Sequence, residues 1–196
     1  MKAFNIYLTG VGGQGIGMIS EMILRAADYA GHRVKSVDTH GLAQRGGIVV
    51  SRIRIGDHVF SPLIPGGQAD LVISLERHEA LRAAGTVLRD GGRLIYYNTV
   101  WQPLSVRLNE AVEISEDDIL IYCRKRSIKI VSVFQADLAD IRMQNIVVLA
   151  EIHRHRLIPN IKLHHYQEAM EDLMFGTMLE NNQNLLDKRL VSPTDC

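Results

Sequence analysis

Thiol groups are scarce in this chain: 196 residues hold two cysteines, Cys123 and Cys196. That excludes a disulfide framework, a cysteine-based zinc site and an iron–sulfur cluster, which needs about four clustered thiolates. An excess of either charge is also missing, since Lys plus Arg and Asp plus Glu stand at 22 each. Without a basic field the chain has no electrostatic grip on nucleic acid or on an anionic membrane surface. Near-zero net charge also does little to keep copies or partners apart, which suits life in an assembly. No apolar run approaches the roughly 18 residues of a membrane-spanning helix. Met1-Lys2 leads straight into a strand-like run, so the expectation is a cytoplasmic chain without a signal peptide. Neither an internal repeat nor an interdomain linker is visible.

What remains is an ordinary globular composition, 46% hydrophobic and 22% charged, at a length that suits one domain. Ala3 to Thr9 is rich in β-formers and reads as a buried strand. A glycine-dense turn follows, Gly10 to Gly15. Ile16, Ile19, Met22, Ile23, Ala26, Ala27 and Ala30 then recur three or four apart, the stripe of an amphipathic helix that Gly31 ends. Val34 to Asp38 reads as a second strand, completing a βαβ unit. Ile48 to Ile55 alternates as a strand, and Gly56-Asp57 predicts a turn into His58 to Leu63, a β-hairpin.

Two further strands are expected at Asp70 to Leu75 and Arg93 to Tyr97, joined by a short helix around His78 to Ala84. Ser115-Glu116-Asp117-Asp118 has the spacing of a capping box and predicts a helix to about Lys125. Ile128 to Val133 is another strand, Asn145 to Arg156 a helix, and Leu163 to about Leu179 the last helix. The expected fold is therefore α/β: a single Rossmann-like open, mostly parallel sheet with helices on both faces and a β-hairpin insertion. The domain is drawn at 1–180, with 181–196 as a flexible or partner-ordered tail.

Gly10-x-Gly12-x-x-Gly15 lies between a predicted strand and a predicted helix, the setting of a dinucleotide fingerprint. Glycines keep Cβ atoms away from a phosphate, and the helix N-terminus offers free N–H groups. Asp38, where ribose hydroxyls would be held, lies slightly beyond the usual spacing of about 20 residues. Tight strand–helix packing explains the glycines equally simply. Gln14 adds an amide whose length suits a neighbouring loop, a ligand or a phosphate.

The more unusual segment is Thr39-His40-Gly41-Leu42-Ala43-Gln44-Arg45-Gly46-Gly47, at the carboxyl end of the second strand, where open α/β sheets build their sites. An imidazole, an amide and a guanidinium among glycines could grip a carboxylate or phosphate. The alternative is a surface turn. Glu76 ends a strand at the same edge and could orient Arg45 or a ligand. Trp101 reads equally as an interface anchor or a core residue. Cys123 reads as a small apolar core group. His153 and His155 point about 200° apart on a helix, and His164-His165 are adjacent, so neither pair suits one metal ion.

Taken together, Gly10-Val11-Gly12-Gly13-Gln14-Gly15, His40-Gly41-x-x-Gln44-Arg45-Gly46-Gly47, Val50-Ser51 to Ile55-Gly56 and Ser61-Pro62 resemble the gamma-type subunit of 2-oxoacid:ferredoxin oxidoreductases. Ala69-Asp70-Leu71, Leu75-Glu76, Glu79-Ala80-Leu81-Arg82 and the Asn145 helix followed by Ile158-Pro159 extend the resemblance over roughly residues 3–175. Within that group the smaller, beta subunit of indolepyruvate oxidoreductase is most similar. The resemblance implies an enzyme complex that decarboxylates a 2-oxoacid, here indolepyruvate or another arylpyruvate, on thiamine diphosphate. Electrons pass through iron–sulfur clusters to ferredoxin, and an acyl-CoA leaves. Thiamine diphosphate, its Mg and the clusters are implied on larger partner subunits, none held firmly by this chain. Coenzyme A is implied at a shared site that this chain helps to shape.

The resemblance makes Gly12, Gly13, Gln14, Gly15, His40, Gly41, Gln44, Arg45, Gly46, Gly47 and Glu76 candidate ligand- or interface-binding positions, with no certain catalytic residue. The isolated chain is expected to be inactive and to self-associate through its partner surface. Two other readings stay open: a stand-alone NAD- or FAD-binding Rossmann protein using Asp38, and an assembly module whose glycine loops serve only protein contact.

Overall fold

A computed structural model describes residues 2–39, 47–101 and 113–192. Strand β1 (Phe4–Val11) lies in the middle of a sheet whose strand order is β2-β3-β1-β4-β5-β6. Its neighbours are β3 (Ile48–Ile55), antiparallel, and β4 (Ala69–Ser74), parallel. Beyond β4 come β5 (Leu88–Tyr97) and β6 (Lys129–Val133), both parallel. The far edge is β2 (Val34–Thr39), antiparallel to β3. Only β3 runs against the rest of this six-stranded sheet, so the expectation of an open, mostly parallel sheet holds.

Helices cover both faces. On one lie α1 (Ile16–Tyr29), α4 (Gln144–Arg154), α5 (Leu163–Leu173) and α6 (Gly176–Val191), enclosing a core that includes Leu8, Ile19, Ile23, Ile73, Val148 and Tyr166. On the other, α2 (Arg77–Thr86) and α3 (Glu116–Lys125) cover Tyr7, Val72, Leu94 and Tyr96. Cys123 is fully buried there, and burial pushes its thiol up to about 11, so it packs as an unreactive apolar group. Among the described residues no helix is long and apolar enough to cross a membrane.

Four expectations are corrected. The first is the hairpin: His58 to Leu63 forms no strand. β3 is already paired on both edges, by β1 and β2, so no ladder is left for a hairpin partner. The segment is held instead by Arg54, whose guanidinium donates to the Ser61 and Leu63 carbonyls at 3.0 and 3.3 Å. The second concerns β2, which is not next to β1. With β3 between them, Asp38 pairs with Ser51, which pairs in turn with Leu8. A dinucleotide fold puts the ribose-binding acid on the strand beside the glycine turn; one extra strand here, about 4.8 Å wide, displaces it.

The third correction is the last helix, which breaks at Met174 and Phe175, both extended, before Gly176 at φ +53 starts α6. The fourth is the tail, of which residues 181–191 are helical and packed on α4. Leu186 is fully buried, and the Arg189 guanidinium donates to the buried Glu151 carboxylate at 2.9 Å. The helical stripe is Leu179, Asn182, Leu186 and Leu190, and the polar Asn182 within it hides the period.

Candidate functional site at the carboxyl edge of the sheet

The first glycine turn begins where β1 parts from β4 while still paired with β3. At Gly10 a Cβ would stand 2.8 Å from Ile16 Cδ1 and 2.9 Å from Gln14 Oε1, so no side chain fits. Gln14 is completely buried. Its Oε1 accepts from the Val11 N–H at 2.7 Å, and its Nε2 donates to the Leu75 carbonyl at 2.7 Å. The amide thus ties the turn to the end of β4. Of the roles foreseen for it, contact with a neighbouring loop is realised, and both polar ends of the side chain are used in doing so.

The outer part of the turn faces the second loop. The half-buried Gly12 donates its N–H to the Gly47 carbonyl at 2.9 Å, joining the two glycine segments. Gly13 is exposed at φ +100, and a Cβ there would meet the Trp101 ring at 3.9 Å. Gly15, at φ +85, is the N-cap of α1 and lies against Asn145, 3.1 Å from where its Cβ would be. These left-handed values favour glycine. Together the glycines wall a hollow of about 340 Å³, closed by Asp38, Ser51 and Arg142. Ser20 links two of its walls, with Ser51 at 2.7 Å and Asp38 at 3.5 Å. The uncapped start of α1 opens into it, a favourable place for acceptor atoms.

Glu76 is turned inward from the sheet edge. Fully buried, it caps α2: its Oε2 accepts from the Glu79 N–H at 2.8 Å, and its Oε1 lies 2.8 Å from His78 Nδ1. The Ile114 N–H points at His78 Nε2 at 3.2 Å, so that nitrogen accepts and the ring proton sits on Nδ1, donated to Glu76. Beside it, Glu79 accepts from Thr9 Oγ1 at 2.9 Å and pairs with Arg82. These bonds fasten the ends of β1, β4 and α2 to one another.

Of the expected site residues, the structure therefore brings together Gly12, Gly13 and Gly15 at one hollow, with Gly47 hydrogen-bonded to Gly12. It turns Gln14 and Glu76 inward beneath them. His40, Gly41, Gln44, Arg45 and Gly46 lie outside the described residues. Ser20, Ser51 and Arg142 were not foreseen. Ser20 carries no motif, Ser51 belongs to a family-like stretch with no role assigned to it, and Arg142 reaches the hollow only because its 3-10 turn (Ile141–Met143) packs on Gly15. The histidines scatter: His153 packs edge-on against Tyr166 at 6.2 Å, and the rings of His164 and His165 also meet edge-on, at 4.0 Å. Among the described residues no cluster of His, Cys, Asp or Glu is arranged to hold a metal ion.

Architecture and site define an α/β domain that presents a glycine turn at the carboxyl edge of its sheet. Residues 5–188 match the family described as pyruvate ferredoxin/flavodoxin oxidoreductase, and the chain belongs to that family. It is 36% identical over 187 residues to the indolepyruvate oxidoreductase subunit IorB of Archaeoglobus fulgidus, covering 93% of this chain and 91% of that one. Over a shorter stretch of 80 residues it is 50% identical to IorB of Methanothermobacter thermautotrophicus, 41% of this chain and 40% of that one. The fold is shared with the pyruvate oxidoreductase subunit PORC of Thermotoga maritima, at TM-score 0.64 and 23% identity over 97% of this chain and 96% of that one. It is also shared with 2-oxoglutarate:ferredoxin oxidoreductase from Magnetococcus marinus, at TM-score 0.71 and 19% identity. There the whole of this chain matches 32% of a much longer one. The resemblance to gamma-type subunits read from the sequence is thus upheld.

Proposed function

We propose that this chain is the gamma-type subunit of a thiamine-diphosphate-dependent 2-oxoacid:ferredoxin oxidoreductase, with indolepyruvate or another arylpyruvate as substrate. Thiamine diphosphate with its Mg, and the iron–sulfur clusters that feed ferredoxin, belong to larger partner subunits. This chain shapes one wall of the shared site, where coenzyme A is bound, and is inactive alone. The observation that carries this reading is the Gly12–Gly47 hydrogen bond, which ties the glycine turn, with its exposed Gly13, to the start of the segment leading into β3, above a rigid base. Glycine backbone lets a ligand or a partner approach closely, and the uncapped α1 start favours acceptor atoms such as phosphate oxygens. The family membership and the IorB relatives support the reaction class. The NAD- or FAD-binding alternative is disfavoured by the strand that separates β1 from β2.

The test is reconstitution. The larger subunits alone should show little arylpyruvate- and coenzyme-A-dependent reduction of ferredoxin, and adding this chain should restore it. Full activity without this chain would overturn the proposal.

A further inference from the structure

A second hollow, about 420 Å³, lies on the other side of Gly15 and Arg142. Met18, Met143, Met174 and Met178 line it. Two of its polar residues are unusual. Asn145, in the first turn of α4, is only 5% exposed, yet its amide makes no hydrogen bond among the described residues. Asn182 is 8% exposed; its Nδ2 donates to the Met178 carbonyl at 2.7 Å, while its Oδ1 accepts nothing among the described residues. Both amides line the hollow, so a ligand that enters it can bond to them.

We infer that this hollow is a binding site for a small uncharged aromatic ring carrying an adjacent hydrogen-bond donor and acceptor, the chemistry shared by aromatic carboxamides and aminopurines. The wall chooses the ring: methionine thioethers are polarizable, adapt in shape and make favourable contacts with ring edges. The amides choose the edge, because an asparagine offers one donor face and one acceptor face side by side, the arrangement that reads adenine. The rim offers no net charge to a ligand. Arg142 is held in two-armed fashion by Asp140, and this guanidinium keeps the carboxyl well below its usual range, at about 2, so the two exposed charges offset each other. The volume falls within the range of about 300–1,000 Å³ typical of small-molecule sites.

The hollow belongs to this chain alone, so the full chain can be tested without partners. With methionine methyl groups labelled for NMR, nicotinamide and adenosine are titrated separately, alongside toluene and cyclohexanecarboxamide. The signals of Met18, Met143, Met174 and Met178 should shift with one or both ring amides, while those of the core residues Met22 and Met170 stay still. Which of the two binds tighter separates the carboxamide source from the purine. Toluene, lacking the polar edge, and cyclohexanecarboxamide, lacking the ring, should each bind about tenfold more weakly or worse. Asn145→Leu should weaken binding about tenfold with the four methyl signals still present. Met178→Lys, at a half-exposed position that tolerates the change, should abolish it. Silence of those four methyls up to millimolar probe, equal binding by toluene, or unchanged affinity in both variants would each overturn the inference.

Discussion

Two helices begin on opposite faces of the sheet, and they begin differently. At α3 the chain completes its own helix start. The Ser115 hydroxyl accepts from the Asp118 N–H at 3.2 Å, the Asp118 carboxylate accepts from the Ser115 N–H at 2.9 Å, and Glu116, Asp117 and Asp118 face the positive end of the dipole. At α1 the cap is Gly15, with no side-chain bond and no acid in the first turn. All the care there goes into the loop beneath, where Gln14 and Glu76 fix the backbone from inside. The difference separates a helix end whose job is stability from one held rigid and left open toward a hollow.

That contrast can be broken in steps. The largest effect is expected from Gln14→Leu, which leaves the Val11 N–H and the Leu75 carbonyl without partners in a sealed core. It should cost about 2–4 kcal/mol in urea unfolding and abolish the chain's ability to restore complex activity. Ser115→Ala should cost about 1 kcal/mol in the same measurement and leave the activity of the assembled complex unchanged. The smallest effect is electrostatic. Hydrogen bonds from Ser115 hold the Asp118 carboxyl below its ordinary range. Its folded value is depressed, so the stability it contributes is present above about pH 4 and is lost as pH falls through the lowered value. Asp118→Asn should flatten that acid limb of a melting-temperature profile slightly. Equal losses of activity from Gln14→Leu and Ser115→Ala would erase the contrast.

Much of this was readable in the residues. The hydrophobic stripe of α1, the run of β1 and the spacing of Ser115 and Asp118 express local physics, and the structure follows them. The errors share a cause: the decisive partner lay far along the chain. Nothing local says that β3 inserts between β1 and β2, so the segment after Gly56 looked like a hairpin arm and β2 looked adjacent to β1. Asn182 bonds to its own helix at Met178, and that local bond lets an amide sit in an apolar stripe that otherwise reads as broken. In the site, the glycines were legible because positive φ and close packing demand them. The inward turn of Gln14 and Glu76 was not, because an amide or a carboxylate at a sheet edge looks the same whether it faces a ligand or the backbone beneath. Arg142 and Asn145 reach the site from more than a hundred residues away, through packing alone.

The most direct test of the account is to capture the chain from its native source and measure subunit masses and thiamine content. The proposal predicts a larger subunit in fixed ratio carrying thiamine diphosphate, with the contact weakened when Gly12→Val disrupts the rim joined to Gly47. A chain recovered alone, binding NAD or FAD tightly and losing it on the same substitution, would contradict it.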